Sequence, residues 1–364
     1  MNNKTKVLVI FGGQSGEHEV SVISAASVIK ALHADRYEIQ TIGITKDGSW
    51  YWGARPEAWK EAKADITNGA KQVAVVLNPQ KPYFQAIDGS ELPDQGRCDI
   101  IFPVMHGPKG EDGTIQGLFE MAGFPYVGSG VLGSSLGMDK DRMKAVFKEA
   151  GLPIVPHLTL LRSEINAAPK AAVKHISDSI GFPCFIKPAN LGSSVGISKA
   201  EDDKQLLEAL IYAAKFDRKI VIEKGVKARE VELSVLGNES AKASIPGEIK
   251  PAKDFYDYEA KYLDNCSELI IPAILSQKLI EQLQSYAVTA FEAVGASGLS
   301  RVDFFVTEDK QIFINEINTM PGFTQISMYP KLWEASGLSY SLLLDELIRL
   351  GFEKFKDDAD RRLS

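Results

Sequence analysis

Residues 301–318 read RVDFFVTEDKQIFINEIN, and the alternation of their polar and apolar positions decides how the rest of the chain is read. It runs on both sides of a short polar turn around Asp309. This predicts two strands, Arg301 to Thr307 and Gln311 to Asn318, paired as a hairpin. Side chains at i and i+2 share one face of a strand. Arg301 and Asp303 therefore point one way, as do Glu316 and Asn318, and the hairpin gathers all four on one surface. Two carboxylates, an amide oxygen and a guanidinium make a hard-oxygen metal site beside an anion clamp. Mg²⁺ favours such ligands and completes its shell with phosphate and water. Alone, alternating polar residues describe an ordinary solvated face; the apolar alternation between them and the Pro321-Gly322 turn just after them favour the metal reading.

Upstream, Lys187-Pro188-Ala189-Asn190-Leu191-Gly192-Ser193-Ser194-Val195-Gly196 puts a lysine at the end of an apolar strand, before a Gly/Ser loop. Its ammonium is available to a phosphate, and the loop's N–H groups can cover a triphosphate. The glycine spacing fits neither a Walker A loop nor GxGxxG, so the stretch gains meaning only from the acidic pair downstream. Glu223 and Glu230 flank a strand exit. Backbone groups at such an exit can hydrogen-bond an adenine edge, and a carboxylate there can accept from ribose hydroxyls.

A strand-helix-strand order fills the first part: Lys6 to Phe11 ending at Gly12-Gly13, a helix from about Val20, Tyr37 to Thr45, then Asp99 to Val104. That order predicts an open α/β sheet. Between them, a turn at Asp47-Gly48 leads into Trp50-Tyr51-Trp52, and the role of residues 46–93 is left open. The middle alternates helices with strands His157 to Leu161, Phe182 to Pro188 and Val195 to Ser198, a small α+β unit. Strands Ile220 to Glu223, Glu230 to Leu236 and Lys242 to Ile249, helix Gln277 to Val294 and the 301–318 hairpin build another. The expected division is 1–125, 126–215 and 216–364, an N-terminal α/β sheet followed by two α+β units.

A chain of 364 residues can bury such cores without disulfide or metal staples. Its net charge of −7 argues against broad capture of nucleic acid. Cys98, Cys184 and Cys266 are odd in number and widely spaced, which speaks against a zinc knuckle or a disulfide framework. The N-terminus has no signal-peptide pattern, and no apolar run approaches the ~20 residues of a membrane span. A cytoplasmic protein without membrane partners is expected.

Lysine, glycine-rich loop, hinge glutamates, R-x-D and N-E-x-N together resemble the ATP-grasp superfamily, which holds ATP between two α+β units. Within it the chain is most similar to the D-alanine–D-alanine ligase family, from Lys6 to about Phe355. The specific motifs are Phe11 to Ser21 (FGGQSGEHEVS), His106-Gly107 with Gly110-Glu111-Asp112-Gly113, and Met138-Asp139-Lys140. Tyr256 to Tyr262 (YDYEAKY) and Asn318-Thr319-Met320-Pro321-Gly322 leading to Ser327 complete them.

The resemblance implies ligation of two D-alanines at the expense of ATP, through a D-alanyl phosphate, for peptidoglycan synthesis. It implies two Mg²⁺ or Mn²⁺ ions on Asp303, Glu316 and Asn318, and a homodimer. ATP would meet Lys140, Lys187, Ser193, Ser194, Glu223, Lys224, Val226, Glu230, Asn315 and Glu316. Glu17 would hold the first D-alanine's ammonium in a hydrogen-bonded set with Ser193 and Tyr262, with Val20, Ser21 and His106 nearby. Arg301 and the Gly322 N–H would form the oxyanion site, and Lys261, Ser327 and Met328 would take the second carboxylate. The loop around Tyr258 and Tyr262 has the composition of a lid. Competing readings are a D-Ala–D-Ser or depsipeptide ligase, another ATP-grasp carboxylate–amine ligase, and a nucleotide-binding regulator without catalysis.

Overall fold

The computed structural model describes residues 4–62, 64–250 and 268–360, with residues 60–62 described by their backbone alone. The first sheet contains β1 (Thr5–Gly12), β2 (Tyr37–Ile44), β3 (Trp50–Trp52), β4 (Lys71–Val76), β5 (Tyr83–Ala86) and β6 (Ile100–Val104), in the order β5-β4-β3-β2-β1-β6. Strands β1, β2 and β6 are parallel, whereas β2 to β5 pair antiparallel. Residues 46–93 thus supply the three strands that widen this sheet. Positive φ at Gly12 and Gly13 ends β1, and helix α1 (His18–Ala31) starts two residues ahead of Val20.

The second sheet has β7 (His157–Leu161), β8 (Cys184–Pro188), β9 (Ser198–Ala200) and β10 (Lys219–Lys224), in the order β7-β10-β8-β9. Strand β9 starts three residues after Val195, because Ser193, Ser194 and Gly196 all take positive φ and hold the chain in a turn. The third sheet contains β11 (Ala228–Gly237), β12 (Lys242–Ala243), β13 (Gly247–Lys250), β14 (Glu268–Ile270), β15 (Gly298–Thr307) and β16 (Ile312–Asn318). The strand expected over 242–249 is split in two. Pro246 has no N–H to give to the ladder, and the chain leaves the sheet around it.

The remaining helices are α2 (Pro56–Ala62), α3 (Thr114–Ala122), α4 (Val131–Met138), α5 (Lys140–Glu149), α6 (Arg162–Ala167), α7 (Pro169–Ser179), α8 (Asp203–Ala213), α9 (Gln277–Ala293), α10 (Met328–Ala335) and α11 (Tyr340–Ala359). Helices α7 and α8 cover the second sheet through Val173, Ile176, Leu206 and Leu210. One face of the third sheet (Val231, Leu233, Val302, Phe304, Ile314) is sealed by Leu283, Ala287 and Phe291 of α9. Met143 and Phe147 of α5 join that same core, so α5 packs with the third sheet although it precedes the second in sequence. Apolar side chains on both faces of β1 are buried, the signature of a central parallel strand.

The chain ends by returning to its start. Leu343, Leu347 and Ile348 of α11 share a core with Val7, Val9 and Phe11 of β1. Gly351 permits this approach: a Cβ there would lie 2.8 Å from Ile100 Cδ1 and 3.0 Å from the Tyr126 carbonyl oxygen. An alanine gains up to ~1 kcal/mol of helix propensity, but overpacking against a backbone oxygen costs about 1–3 kcal/mol. Gly351→Ala is therefore expected to lower the thermal midpoint. Gly117→Ala in α3, where the nearest atom would be 3.9 Å away, is expected to raise it or leave it unchanged. Equal midpoints for the two variants would refute the close helix–sheet approach.

Candidate active site

The polar face of the third sheet forms one wall of the site. Register pairs Arg301 with Asn318 and Asp303 with Glu316, so these four side chains share a face, as the alternation predicts. A bulge follows Asp303, since Phe304 is opposite Ile314 and Asn315 is the extra residue. A bulge of this kind turns two successive residues toward one side; here Asn315 and Glu316 both lie on the part-exposed side while Ile314 and Ile317 are buried. Arg301 makes a two-pronged contact with Asp303, Nε to Oδ1 and Nη2 to Oδ2, both 2.7 Å. Its Nε also lies 3.0 Å from Glu232 Oε2 on β11. Burial opposes the guanidinium's charge, but Asp303 and Glu232 outweigh it and hold its pKa well above the ordinary value.

The opposite wall comes from the second sheet, and lysines cross between the two. Lys187 Nζ, at the end of β8, donates to Glu223 Oε2 of β10 at 2.7 Å and to Asn315 Oδ1 at 3.4 Å. Lys144 Nζ, from α5, is 2.9 Å from Glu223 Oε1 and donates to the Asn315 carbonyl oxygen at 3.3 Å. Glu223 is buried, which alone would raise its pKa, yet Lys144 and Lys187 together hold it far below the ordinary range. Burial pulls on both lysines: at Lys144 it wins and lowers the pKa, and at Lys187 Glu223 overcomes it. Lys140, one turn before Lys144 on α5, donates from Nζ to the Leu191 carbonyl at 2.9 Å and sits 3.4 Å from Glu316 Oε2. Its position is set by Asp139, whose carboxylate caps α5 by accepting from the Asp141 and Arg142 amides.

Glu17 closes the third side, just past β1, where open α/β sheets place ligands. Its carboxylate is buried and accepts a hydrogen bond from Ser193 Oγ in the Gly/Ser loop. Two glycines make the space: a Cβ on Gly107 would lie 2.7 Å from Glu17 Oε2, and one on Gly192 would lie 3.0 Å from it. His106 is buried beside this carboxylate, and desolvation lowers its pKa despite Glu17's charge. The neutral ring donates from Nδ1 to the Met320 carbonyl at 3.1 Å, which leaves Nε2 to accept from Ser24 Oγ at 3.4 Å. Glu111 accepts from the Gly107 amide at 2.6 Å, and burial followed by Glu17's charge drives its carboxyl well above the usual range.

Other sequence-singled residues fall as follows. Ser327 precedes α10, Met328 opens it, and Ser327 Oγ accepts from the Thr324 amide at 3.0 Å beside Gly322. Asn318 Oδ1 accepts from the Met320 amide at 3.0 Å, which leaves a second lone pair. Val20 and Ser21 are buried in α1, and the Ser21 hydroxyl bridges the backbones of β1 and β6 through Gly12 N–H and Val104 C=O. Glu230 is opposite Phe305 on β15. Lys224 and Val226 line a cleft of 560 Å³ with Ile154, Thr307 and Phe313. Ser194 follows Ser193 in the loop with positive φ. Tyr258, Lys261 and Tyr262 lie outside the described residues. Sequence reading missed Lys144 and Glu232, and it left Glu111 without a role. Lys144 follows Lys140 by four positions on a helix, and Glu232 follows Glu230 by two in a strand; those spacings were the available signals.

The family model described as "D-ala D-ala ligase N-terminus" matches residues 6–129, and "D-ala D-ala ligase C-terminus" matches 146–349. D-alanine–D-alanine ligase of Acetivibrio thermocellus is 48% identical, covering 98% of this chain and 98% of its own length. The ligase of Thermoanaerobacter pseudethanolicus is 49% identical over 97% of this chain and 98% of its own. Among solved structures, the D-alanine–D-alanine ligase of Coxiella burnetii superposes with a TM-score of 0.86 at 35% identity, covering 98% and 96% of the two chains. The VanG D-Ala:D-Ser ligase of Enterococcus faecalis gives 0.83 at 37%, covering 96% and 100%.

Burial and the charge of Glu17 raise the carboxyl of Glu111, and this makes its contribution to stability depend on pH. A carboxyl whose folded pKa is raised keeps its proton in the native state while the unfolded chain releases it. Its contribution to stability therefore falls as pH rises above the ordinary glutamate value of about 4.3. Gln keeps an acceptor for the Gly107 amide and never ionises. Glu111→Gln is expected to stabilise the protein relative to wild type increasingly from pH 5 to pH 8, read as a growing difference in thermal midpoint. A pH-independent difference would contradict it.

Proposed function

The chain belongs to the D-alanine–D-alanine ligase family, and we propose from that premise how its residues carry out ATP-dependent joining of two D-alanines for cell-wall synthesis. What carries the reading is the hydrogen bond between Ser193 and Glu17, which ties the Gly/Ser loop of the ATP half to the N-terminal unit. Amino acid and nucleotide would meet at that junction.

ATP lies along β15 and β16. Its base enters the cleft by Lys224, Val226 and Phe313, with Glu223 and Glu230 at the hinge, and its phosphates run toward Lys140, Lys187, Asn315 and the loop amides of Ser193 and Ser194. Support comes from the single face shared by Phe313, Asn318, Asp303 and Arg301, which leads from the cleft to the ion pairs. Glu17 holds the ammonium of the first D-alanine, with neutral His106, Val20 and Ser21 behind it. One carboxylate oxygen of that D-alanine takes the γ-phosphoryl group and ADP leaves. The second amine then attacks the acyl carbon and loses a proton, and phosphate departs. The tetrahedral oxyanion is met by Arg301 and the Gly322 N–H, the kind of fixed charge that dominates such catalysis. Ser327 and the Met328 N–H at the start of α10, with Lys261, take the second carboxylate. Tyr262 joins Glu17 and Ser193.

Two carboxylates and an amide oxygen on facing strands fit a hard divalent ion. Among the described residues no group of three or more His, Cys, Asp or Glu gathers around a metal position, so the third protein ligand here would be the Asn318 amide oxygen. Asp303, Glu316 and Asn318 would hold two Mg²⁺ or Mn²⁺ ions, and the ions would supply neutralisation of phosphate charge. No described helix is long and apolar enough to cross a membrane. We place the enzyme in the cytoplasm as a homodimer, with twice the mass of one chain in solution, and divide the chain at 125 and 215.

With ATP, Mg²⁺ and D-alanine the protein is expected to release ADP, phosphate and D-alanyl-D-alanine. Release of AMP and pyrophosphate would sink the acyl-phosphate route, and preference for D-serine in competition would move the chain to the ligases represented by VanG. Glu316→Gln is expected to keep the fold and lower kcat at least ~100-fold, as when one electrostatic contributor is lost. Near-normal turnover in that variant would take Glu316 out of the site.

A further inference from the structure

Lys144 is the most deeply buried cation of the site, and the roles above make no use of it. Its side chain is 0% exposed, whereas that of Lys187 is 10% exposed. The two ammonium groups share one carboxylate, Glu223, one on each oxygen, and both also reach Asn315. With two ammonium groups on one carboxylate, and Glu316 as a further negative charge acting on both, Glu223 keeps a counter-charge when one of the two is drawn away. Of the two, only Lys187 has exposed side-chain surface that an arriving anion could reach. A phosphate can therefore recruit Lys187 and not Lys144.

We propose that Lys144 is a positioning residue that keeps Glu223 neutralised, so that Lys187 can leave that carboxylate for a nucleotide phosphate. This rests on the reading of Lys187 as a phosphate ligand. Without Lys144, Lys187 and Glu223 form a closed, neutral pair. Drawing Lys187 to phosphate then strands a buried carboxylate with no counter-charge. Lys144 pays for the exchange in advance, and it does so from a different sheet's core: α5 packs with the third sheet through Met143 and Phe147, while Glu223 lies on the second.

The test is a double-mutant cycle read by calorimetric binding of a non-hydrolysable ATP analogue with Mg²⁺ to the full chain. Lys144→Met is expected to weaken binding ~10–100-fold, in proportion to one exposed buried charge. In the Glu223→Gln background there is no carboxylate to neutralise, so Lys144→Met is expected to change affinity less than ~3-fold. A purely structural role would give the same loss in both backgrounds, and that outcome overturns the inference. If Lys144→Met fails to fold alone, Lys144→Gln, which removes the charge but keeps a polar group beside Glu223, takes its place in both backgrounds. Lys187→Met separates the two readings. Loss of affinity there with none in Lys144→Met refutes the positioning role, while unchanged affinity in Lys187→Met refutes the phosphate role itself.

Discussion

Strand register is the constraint on which the site depends. With Asp303 opposite Glu316 and Arg301 opposite Asn318, one face of β15 and β16 carries charge and the other carries Val302, Phe304, Ile314 and Ile317 into the core under α9. A slip of one residue would exchange the two sets, putting a guanidinium and carboxylates against Leu283 and Phe291. The apolar layer thus enforces the polar one. The bulge after Asp303 adds what strict alternation cannot, a pair of neighbours, Asn315 and Glu316, that both face the cleft.

The second feature is that cations of the cleft are already paired before any ligand is considered. Arg301 rests on Asp303 and Glu232, Lys140 near Glu316, Lys144 and Lys187 on Glu223. Buried ion pairs contribute little net stability compared with apolar replacements. Their value here is geometric: each holds a long side chain in one place, and a phosphate or divalent ion then replaces a partner rather than ordering a free chain.

Local sequence carried the strands and helices well where one period dominates. β15, β16, β1 and α9 lie where alternation or helical spacing put them. It failed where a backbone detail intervenes: Pro246 splits a strand, and the positive-φ run at Ser193, Ser194 and Gly196 delays β9. The residues of the candidate site that were legible, among them Glu17, Lys187, Arg301 and Glu316, stand at element ends or in alternating strands with unusual composition. Lys144 was not, because a lysine inside a helix reads as solvated surface. Its partner Glu223 comes from another sheet, and only tertiary packing brings them together. Glu232 was hidden in the same way by an ordinary run of alternating residues.

The return of α11 to β1 bears on how the chain is made. Phe11 and Val9 share one core with Val22, Ala25 and Val28 of α1 and with Leu343, Leu347 and Ile348 of α11, so this face of the first sheet is only partly covered until the last helix exists. Synthesis proceeds at about 5–20 residues per second, and the roughly 340 residues between these partners take on the order of 20–70 seconds to appear. Throughout that interval the earliest strand presents an apolar face without its final partner. The N-terminal unit is first in the chain yet among the last to finish, and a break anywhere before α11 leaves its surface open to chaperones and to other nascent chains.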